Sequence, residues 1–290
     1  MSKAGFAIII GRSNVGKSTL LNALVGTKLS IITNKPQTTR VNTHGIVNTE
    51  DGQIVFVDTP GVLKGTHAGL SGQMIDRVKT ALHGIDVIVY VVDPTKAIGS
   101  EERYTLSLIR GATVPKILVI NKSDLRRRPY LEEYHALGAD EFSSVIELSA
   151  SEGTHVKSLL RAAVEALPEQ PALYPDTQRT NLTKEQWIAE LIREKALHES
   201  RAELPYEMTV VVDSIEEKAP NAKKNKPHMF VVTARILVSA DRYKKMLIGA
   251  GGRTIKEIGS VTRKELEGIL ETQVFLDLEV ETDAHWLRKI

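Results

Sequence analysis

The chain has 290 residues, 42% of them hydrophobic and 26% charged, which fits about two ordinary globular domains. It has no cysteine, which excludes disulfides, zinc–thiolate centres and thiol nucleophiles and fits a reducing compartment. Lys and Arg number 38 against 36 Asp and Glu, so the net charge of +2 does not point to a partner by itself. No run of about 18 apolar residues predicts a membrane span, and we expect no leader before the first apolar strand.

Short runs rich in Val and Ile alternate with helical patterns through residue 168. The predicted strands are Gly5–Ile10, Ile54–Asp58, Asp86–Asp93, Lys116–Asn121 and Val145–Ser149. The predicted helices are Gly16–Val25, Gly69–Leu82, Ser100–Arg110, Leu131–Leu137 and His155–Leu167. Continuous apolar runs are typical of strands buried on both faces of a parallel sheet. The alternation predicts an α/β domain with a mostly parallel sheet over residues 1–168.

A polar stretch punctuated by Pro171 and Pro175 follows, and we assign residues 169–182 to a linker. Residues 183–290 change pattern. They predict a helix (Thr183–Ser200), two strands (Glu207–Ser214 and His228–Ser239), a short helix, a long helix (Thr254–Leu270) and a last strand (Gln273–Glu281). This α-β-β-α-α-β order predicts a smaller α+β domain.

The first strand runs into GRSNVGKST, which fits the phosphate-binding pattern G-x-x-x-x-G-K-[ST] between a strand and a helix. Glycines let the backbone wrap phosphate oxygens, and the helix N-terminus supplies aimed N–H groups. Lys17 is predicted to neutralise phosphate charge, and Ser18 to give its hydroxyl to Mg²⁺. The nucleotide-contacting residues expected here are Gly11, Arg12, Ser13, Asn14, Val15, Gly16, Lys17, Ser18 and Thr19.

The base is predicted to be guanine. Strand Lys116–Asn121 ends in NKSD, the N-K-x-D pattern of guanine nucleotide-binding proteins, formed by Asn121, Lys122, Ser123 and Asp124. The Asp124 carboxylate can accept two hydrogen bonds from guanine that adenine cannot offer, so an adenine ligand would leave it unpaired. Ser149 and Ala150 resemble the family's last guanine-contacting loop, with the Ala150 N–H directed at O6.

The γ-phosphate end is predicted from two further stretches. DTPG ends a strand, so Asp58 could hold Mg²⁺ through water and the Gly61 N–H could contact the γ-phosphate, with Thr59, Pro60 and Val62 beside them. PQTTR offers Thr38 or Thr39 as the threonine that closes over Mg²⁺, and we favour Thr39. The expected metal ligands are Ser18, Thr39 and Asp58, and the expected catalytic residues are Lys17, Thr39, Asp58 and Gly61.

Val62 occupies the position that in Ras-like enzymes carries the water-orienting glutamine. The chain resembles the hydrophobic-substituted class of GTPases, which implies slow turnover that relies on other groups or on a partner. Asn14 matches the asparagine that accompanies potassium activation in some of this class, so K⁺ is a further expected cofactor. His67 is interpreted as a solvated loop residue.

The charge of the second domain is unevenly distributed. Residues 218–264 contain twelve basic and two acidic side chains, whereas the flanking segments are acidic. Within this block, IGAGG lies between a short and a long helix and fits the I-G-x-x-G clamp of KH modules, which hold single-stranded RNA. The expected RNA-contacting residues are Lys244, Lys245, Ile248, Gly249, Ala250, Gly251, Gly252, Arg253 and Lys256.

GRSNVGKS, PQTTR, DTPGV and NKSD, followed by ELPYE and IGAGG, resemble the Era family of GTPases along essentially the whole chain. The resemblance implies GTP or GDP as ligand, Mg²⁺ as cofactor, and nucleotide-controlled binding near the 3′ end of 16S ribosomal RNA during assembly of the 30S subunit. It also implies a cytoplasmic protein, partly at the inner face of the membrane. We expect a monomer that does not bind DNA. Ser13 departs from the proline common in this loop.

Two alternatives remain open. One is a GTPase whose second domain docks on a protein or a membrane rather than on RNA. The other is a metabolic P-loop kinase, which NKSD and the lack of an obvious acceptor-substrate site disfavour.

Overall fold

The computed structural model describes residues 2–32, 42–61, 70–199, 207–220 and 228–286. The chain divides into two compact units, Met1–Asn181 and Leu182–Ile290, which are described separately below.

The first unit is built around a six-stranded sheet. Its strands are β1 (Lys3–Ile10), β2 (Thr43–Asn48), β3 (Gly52–Asp58), β4 (Val87–Val92), β5 (Lys116–Ile120) and β6 (Ser144–Glu147), and its helices are α1 (Lys17–Val25), α2 (Leu70–Ala81), α3 (Ser100–Ile109), α4 (Leu131–Glu141) and α5 (Val156–Glu165). The strand order is β2-β3-β1-β4-β5-β6, and all neighbours are parallel except β2 and β3. The predicted α/β class with a mostly parallel sheet is confirmed.

Both faces of this sheet are buried. Successive residues of β1 point to opposite faces, so Ile8 and Ile9 join separate hydrophobic clusters, and both are fully buried. Central strands covered on both sides need apolar residues at every position, which explains the continuous rather than alternating runs. The carboxyl ends of β1, β3, β4 and β5 meet at one edge, and polar side chains follow each of them.

Strand β2 was not predicted. It contains His44, Gly45 and Asn48, and these residues interrupt the apolar pattern of an edge strand. Gly45 is required by packing, because a Cβ there would lie 2.5 Å from Leu21 Cδ1 and 2.6 Å from Val25 Cγ2 of α1. Helix α1 therefore packs directly onto the β2 backbone.

Residues 169–181, assigned to a linker from the sequence, belong instead to the first unit. Gln53 Oε1 accepts the N–H groups of Leu173 and Tyr174, and the Ile46 N–H donates to the Arg179 carbonyl at 2.9 Å. At the end of the segment, Asn181 Oδ1 accepts the His44 N–H at 2.9 Å. The segment lies along the edge of the sheet and is held there by backbone and amide hydrogen bonds. Such contacts need no apolar side chains, which explains why the segment is rich in proline and polar residues.

The second unit has the predicted α-β-β-α-α-β order. Its elements are α6 (Lys184–Glu199), β7 (Met208–Lys218), β8 (Met229–Val238), α7 (Asp241–Ile248), α8 (Arg253–Leu270) and β9 (Gln273–Thr282), with a 3₁₀ turn at Ala250–Gly252. Strand β8 is central, antiparallel to β7 and parallel to β9. Val232, Ala234 and Ile236 of β8 are fully buried, as are Ile258 and Leu266 of α8, so one face of the sheet is covered by helices.

Among the described residues, none of the helices combines the length and apolarity that crossing a membrane requires.

Candidate nucleotide and RNA sites

The loop Gly11–Gly16 is held in shape by the protein around it. Gly11 leaves no room for a side chain, because a Cβ would lie 2.3 Å from the Val91 carbonyl oxygen of β4. Asn14 and Gly16 have left-handed backbones, with φ of 63° and 100°, a conformation that asparagine and glycine tolerate best. Gly16 directly precedes α1, so the first free N–H groups of that helix border the loop.

The predicted phosphate-binding lysine is buried inside this loop. Lys17 is 6% exposed, and its ammonium donates to the Arg12 carbonyl at 2.9 Å. Burial lowers the pKa of Lys17 to about 8, while the carboxylates of Asp58 and Glu102 act in the opposite direction. A cation with so little solvent around it interacts strongly with an anionic ligand, because water no longer screens the charge.

Two predicted metal ligands meet beside Lys17. Asp58 ends β3 and is fully buried, and the Ser18 hydroxyl donates to its Oδ2 at 2.8 Å. A hydroxyl and a single carboxylate are hard oxygen ligands that suit Mg²⁺, which takes its remaining ligands from phosphates and water. The described residues contain no cluster of three or more His, Cys, Asp or Glu that could hold a metal without such help.

The residues after Asp58 lie close to the phosphate-binding loop. The Thr59 hydroxyl is fully buried and donates to the Ile9 carbonyl of β1, which fixes the start of the DTPG turn. A Cβ on Gly61 would lie 2.7 Å from Ser13 Cα and 3.2 Å from Lys17 Nζ. The Gly61 backbone therefore approaches the loop as a γ-phosphate contact requires. Thr38, Thr39, Val62 and His67 lie outside the described residues.

The guanine motif is tied to the same loop. Asn121 is 3% exposed, and its side-chain amide donates to the Val15 carbonyl at 2.8 Å. Lys122 has φ of 63°, and its ammonium reaches Asp93 Oδ2 at 2.6 Å and the Asn14 carbonyl at 3.4 Å. These bonds connect the ends of β4 and β5 to the loop Gly11–Gly16, so the predicted guanine motif and the predicted phosphate-binding loop are directly joined.

The Asp124 carboxylate, which is predicted to select guanine, is exposed and is oriented by a hydrogen bond. The Ser149 hydroxyl donates to Asp124 Oδ1 at 2.6 Å, and the same hydroxyl accepts the Glu152 N–H at 3.2 Å. The Ala150 N–H, expected to point at guanine O6, donates instead to Asn121 Oδ1 at 3.0 Å. A contact of this N–H with guanine O6 stays a prediction.

In the second unit, the predicted RNA clamp forms the turn between α7 and α8. Gly249, Gly251 and Gly252 have φ of 71°, 61° and 76°, so three of its residues occupy the left-handed region. A Cβ on Gly251 or Gly252 would meet nothing within 4 Å. The turn is thus open on its outer side, where a nucleic acid backbone could approach it closely.

Basic side chains border this turn without partners. Lys245, Arg253 and Lys256 are exposed and Lys244 is half-buried, and in the described part of the chain none of the four side chains makes a hydrogen bond or an ion pair. By contrast, Arg235 on β8 pairs with Asp213 at 2.7 Å and with Glu281 at 2.6 Å. Four uncompensated cations therefore border the glycine turn among the residues that the structure describes.

Comparison with known proteins matches both units to families. A family described as 50S ribosome-binding GTPase matches residues 6–122, and a family described as KH domain matches residues 203–287. A protein named GTPase Era from Carboxydothermus hydrogenoformans is 39% identical over 99% of this chain and 95% of its own length. The GTPase Era of Caldanaerobacter subterraneus is 40% identical over 98% and 94%.

Solved structures agree with these relatives. A crystal structure described as Era in complex with MgGDPNP and nucleotides 1506–1542 of 16S ribosomal RNA has a TM-score of 0.90 at 34% identity, and covers 100% of this chain and 96% of that one. A variant of Aquifex aeolicus Era bound to GDP·AlF4⁻ has a TM-score of 0.89 at 34% identity, over 99% and 96%. The chain belongs to the Era family of GTPases.

This Era-family chain is a GTP hydrolase with a GTPase unit and a KH unit, as its sequence predicted.

The sequence analysis did not assign a role to Asp93, although this residue follows β4 at the sheet edge where Asp58 and Asn121 also lie. Its place directly after a buried strand is the feature of the sequence that could have identified it. Asp93 accepts the Thr95 N–H and hydroxyl as well as the Lys122 ammonium, and these hydrogen bonds help to lower its pKa although burial opposes the shift.

Proposed function

We propose that this Era-family GTPase is a nucleotide-dependent switch that binds small-subunit ribosomal RNA near the 3′ end of 16S rRNA and acts in assembly of the 30S subunit. The observation that carries the proposal is the open Gly249–Gly252 turn with four unpartnered cations, in the same chain as a guanine nucleotide site. The related Era structure that contains 16S rRNA nucleotides supports the choice of RNA.

Phosphate contacts in this proposal come from Lys244, Lys245, Arg253 and Lys256, and the backbone of residues 249–252 lies against the RNA strand. Base contacts are aliphatic. Tyr243 is only 3% exposed, with the Arg242 guanidinium 4.5 Å from its ring centroid, so its face is not open for a base. Met246 is 38% exposed beside half-buried Ile248, and these side chains offer the apolar surface instead.

At the nucleotide site, we propose that Lys17 and the loop bind phosphates, Ser18 and Asp58 hold Mg²⁺ with Thr39, and Gly61 contacts the γ-phosphate. Mg²⁺ would supply charge neutralisation at the β- and γ-phosphates. Asp124 would accept the guanine hydrogen bonds, because Ser149 already orients its carboxylate. An Asp124→Asn variant should lose GTP affinity and gain affinity for xanthosine triphosphate, which has a carbonyl in place of the exocyclic amine.

We further propose that residues 169–181 transmit the nucleotide state. They bond to β2, which begins two residues after the segment 33–41 that contains Thr39. Asn181, the last residue of the first unit, bonds His44 of β2 and reaches the Asn42 carbonyl. A change at Thr39 would therefore pass to the chain just before α6 through few intervening bonds.

The proposal also includes potassium activation and a monomeric state. It places the protein in the cytoplasm, with part of it at the membrane face. The potassium hypothesis rests on Asn14, which matches the asparagine that accompanies potassium activation in some GTPases of this class and is exposed in the loop. Turnover in potassium and sodium buffers tests it, and equal rates would dispose of it. Binding to anionic vesicles without binding to RNA would favour the alternative of a membrane-docking second unit.

The main experiment measures binding of a single-stranded RNA that matches the 3′ end of 16S rRNA, with GTP analogue or GDP, across a salt series. Gly252→Asp and Gly252→Asn form a matched pair, since both residues tolerate φ of 76° and only Asp adds charge. We expect Asp to weaken RNA binding at least tenfold more than Asn. If wild type binds no RNA, or if both variants bind equally, the RNA proposal fails.

A further inference from the structure

A carboxylate that no predicted role includes lies buried in the GTPase unit. Glu102, in the first turn of α3, is fully buried. The Tyr90 hydroxyl of β4 donates to its Oε1, and the Tyr134 hydroxyl of α4 lies 3.2 Å from its Oε2 and 3.1 Å from the Lys96 carbonyl. Two other elements of the fold, β4 and α4, thus hold this carboxylate of α3 in place.

The same carboxylate meets the phosphate-binding loop. Arg12, the second residue of the loop, is 7% exposed, and its Nε lies 3.1 Å from Glu102 Oε2. Arg12 Nη2 is buried without a hydrogen-bond partner among the described residues. Glu102 is therefore the ion-pair partner that balances this guanidinium within the described part of the chain.

Arg12 also contacts the phosphate-binding lysine through its backbone, since its carbonyl accepts the Lys17 ammonium. The side chain of Arg12 is thus fixed by Glu102 while its carbonyl orients Lys17. A shift of the Arg12 side chain would move the peptide group that orients Lys17.

Because this ion pair is buried, the loss of one member costs more free energy than the loss of both. Burial raises the pKa of Glu102, while the Arg12 charge and the two tyrosine hydroxyls favour its ionised form. Removing one member of a buried ion pair leaves the other charge uncompensated, which costs far more than replacing both members together. Loss of Glu102 alone would drive Arg12 out of its buried position.

We propose that Glu102 is a positioning residue for nucleotide binding, which acts through its ion pair with Arg12 to fix the second residue of the phosphate-binding loop. The proposal rests on the nucleotide-binding role of that loop. It assigns to α3 and α4 the task of holding Arg12 through Glu102 and Tyr134.

The experiment measures GDP and GTP dissociation constants for the full chain with a fluorescent nucleotide. The variants are Glu102→Gln, Arg12→Gln and the double variant, and Glu101→Gln removes the neighbouring carboxylate of the same helical turn as a control. We expect each single variant to weaken both nucleotides at least tenfold. The double variant should bind no more weakly than the weaker single variant, because it leaves no unpaired buried charge. The control should stay within twofold of wild type.

Measurement of kcat and KM for GTP hydrolysis distinguishes a positioning role of Glu102 from a purely structural one. A merely structural role would reduce the folded, active fraction and so the apparent kcat, while the remaining molecules kept their KM. Positioning instead raises KM at least tenfold and changes kcat less. Single-variant effects that multiply in the double variant, or an unchanged KM and dissociation constant in Glu102→Gln, would overturn the proposal.

If Glu102→Gln does not fold, Tyr134→Phe decides, because it removes one hydroxyl from the carboxylate and leaves the ion pair. A two- to fivefold rise in both dissociation constants is then expected, and no change would overturn the proposal. Failure of wild type to bind GDP would instead contradict the nucleotide site itself.

Discussion

Two turns in the described part of the chain place a glycine with a left-handed backbone directly before a helix. Gly16 precedes α1 with φ of 100°, and Gly252 precedes α8 with φ of 76°. Neither helix start has a side-chain hydrogen-bonding cap, so both leave their first N–H groups available to a ligand. The backbone geometry of the two turns is similar, and both are assigned to phosphate groups.

The surroundings of the two glycines differ. A Cβ on Gly16 would lie 2.3 Å from Asn121 Nδ2, whereas a Cβ on Gly252 would meet nothing within 4 Å. At position 16, glycine is required both by the left-handed backbone and by the nearby Asn121 side chain. At position 252, glycine is favoured by the left-handed backbone alone. The nucleotide loop is preorganised by contacts from the guanine motif, while the RNA turn presents its outer side to a partner. Substitutions can test this difference at each position.

Gly16→Ala should have the largest effect. Left-handed backbone strain costs about 1–2 kcal/mol, and displacement of Asn121 breaks its bond to the Val15 carbonyl at about 1 kcal/mol more. We expect the free energy of unfolding of the first unit to fall by about 3 kcal/mol and GDP affinity to fall at least 100-fold.

Gly26→Ala is the control for this variant, because it has φ of 76° with nothing within 4 Å of a Cβ. Urea unfolding should show a loss of about 1–2 kcal/mol for it, from strain alone. Equal losses for the two variants would mean that Asn121 does not constrain Gly16.

Gly249→Ala should have an intermediate effect within the RNA turn. Its φ is 71°, and a Cβ would lie 2.2 Å from Thr254 Oγ1, so this glycine resembles Gly16 more than Gly252. We expect the free energy of unfolding of the second unit to fall by about 2 kcal/mol. Unfolding of Gly249→Ala in a Thr254→Ala background should cost less, and an unchanged cost would exclude the clash as a cause.

The buried lysine predicts a pH dependence for nucleotide binding. Burial holds the pKa of Lys17 at about 8 in the free protein, and bound phosphates would raise that pKa by favouring the charged form. Nucleotide binding should therefore take up a proton above pH 8. GDP affinity should be constant from pH 7 to 8 and then fall by up to about tenfold per pH unit.

Titration calorimetry in buffers of different ionisation enthalpy measures this proton uptake directly. Linkage also makes Lys17 contribute to the stability of the nucleotide-free protein. Its folded-state pKa lies below the unfolded value of 10.5, so the unfolded state binds more protons between pH 8 and 10.5. The free energy of unfolding from this group therefore rises with pH across that window. A GDP affinity that is constant to pH 9 would contradict the assigned pKa.

The sequence predicted the parts of the nucleotide site that depend on local order along the chain. GRSNVGKST, DTPG and NKSD each follow a buried strand, and parallel strands bring their carboxyl ends to one edge. Ser18 and Asp58 therefore meet although forty residues separate them. The same reasoning applies to the turn before α8, because its glycines and the two helices are adjacent in sequence.

Interactions that depend on side-chain packing were not predicted. Arg12 was assigned only a place in the phosphate-binding loop, and nothing in the pattern indicates that it pairs with Glu102 ninety residues later. Strand β2 was missed because its stability comes from pairing with β3 and packing of α1 rather than from its own composition. Residues 169–181 read as a linker because their hydrogen bonds are made by backbone and amide groups, which leave no hydrophobic signal.

Gly252→Ala should have the smallest effect, and it is the sharpest test of the comparison. The substitution adds a methyl group into open space, so its cost is backbone strain alone, about 1–2 kcal/mol in the free energy of unfolding of the second unit. RNA affinity at fixed salt should fall but not be lost, because the methyl group lies between the strand and one residue of the turn while the four cations and the backbone path stay in place. If Gly252→Ala lowered stability as much as Gly16→Ala, a neighbour would have to constrain the RNA turn as Asn121 constrains the nucleotide loop. If it abolished RNA binding while the unit stayed folded, the RNA would have to lie against Gly252 so closely that a single methyl group is excluded.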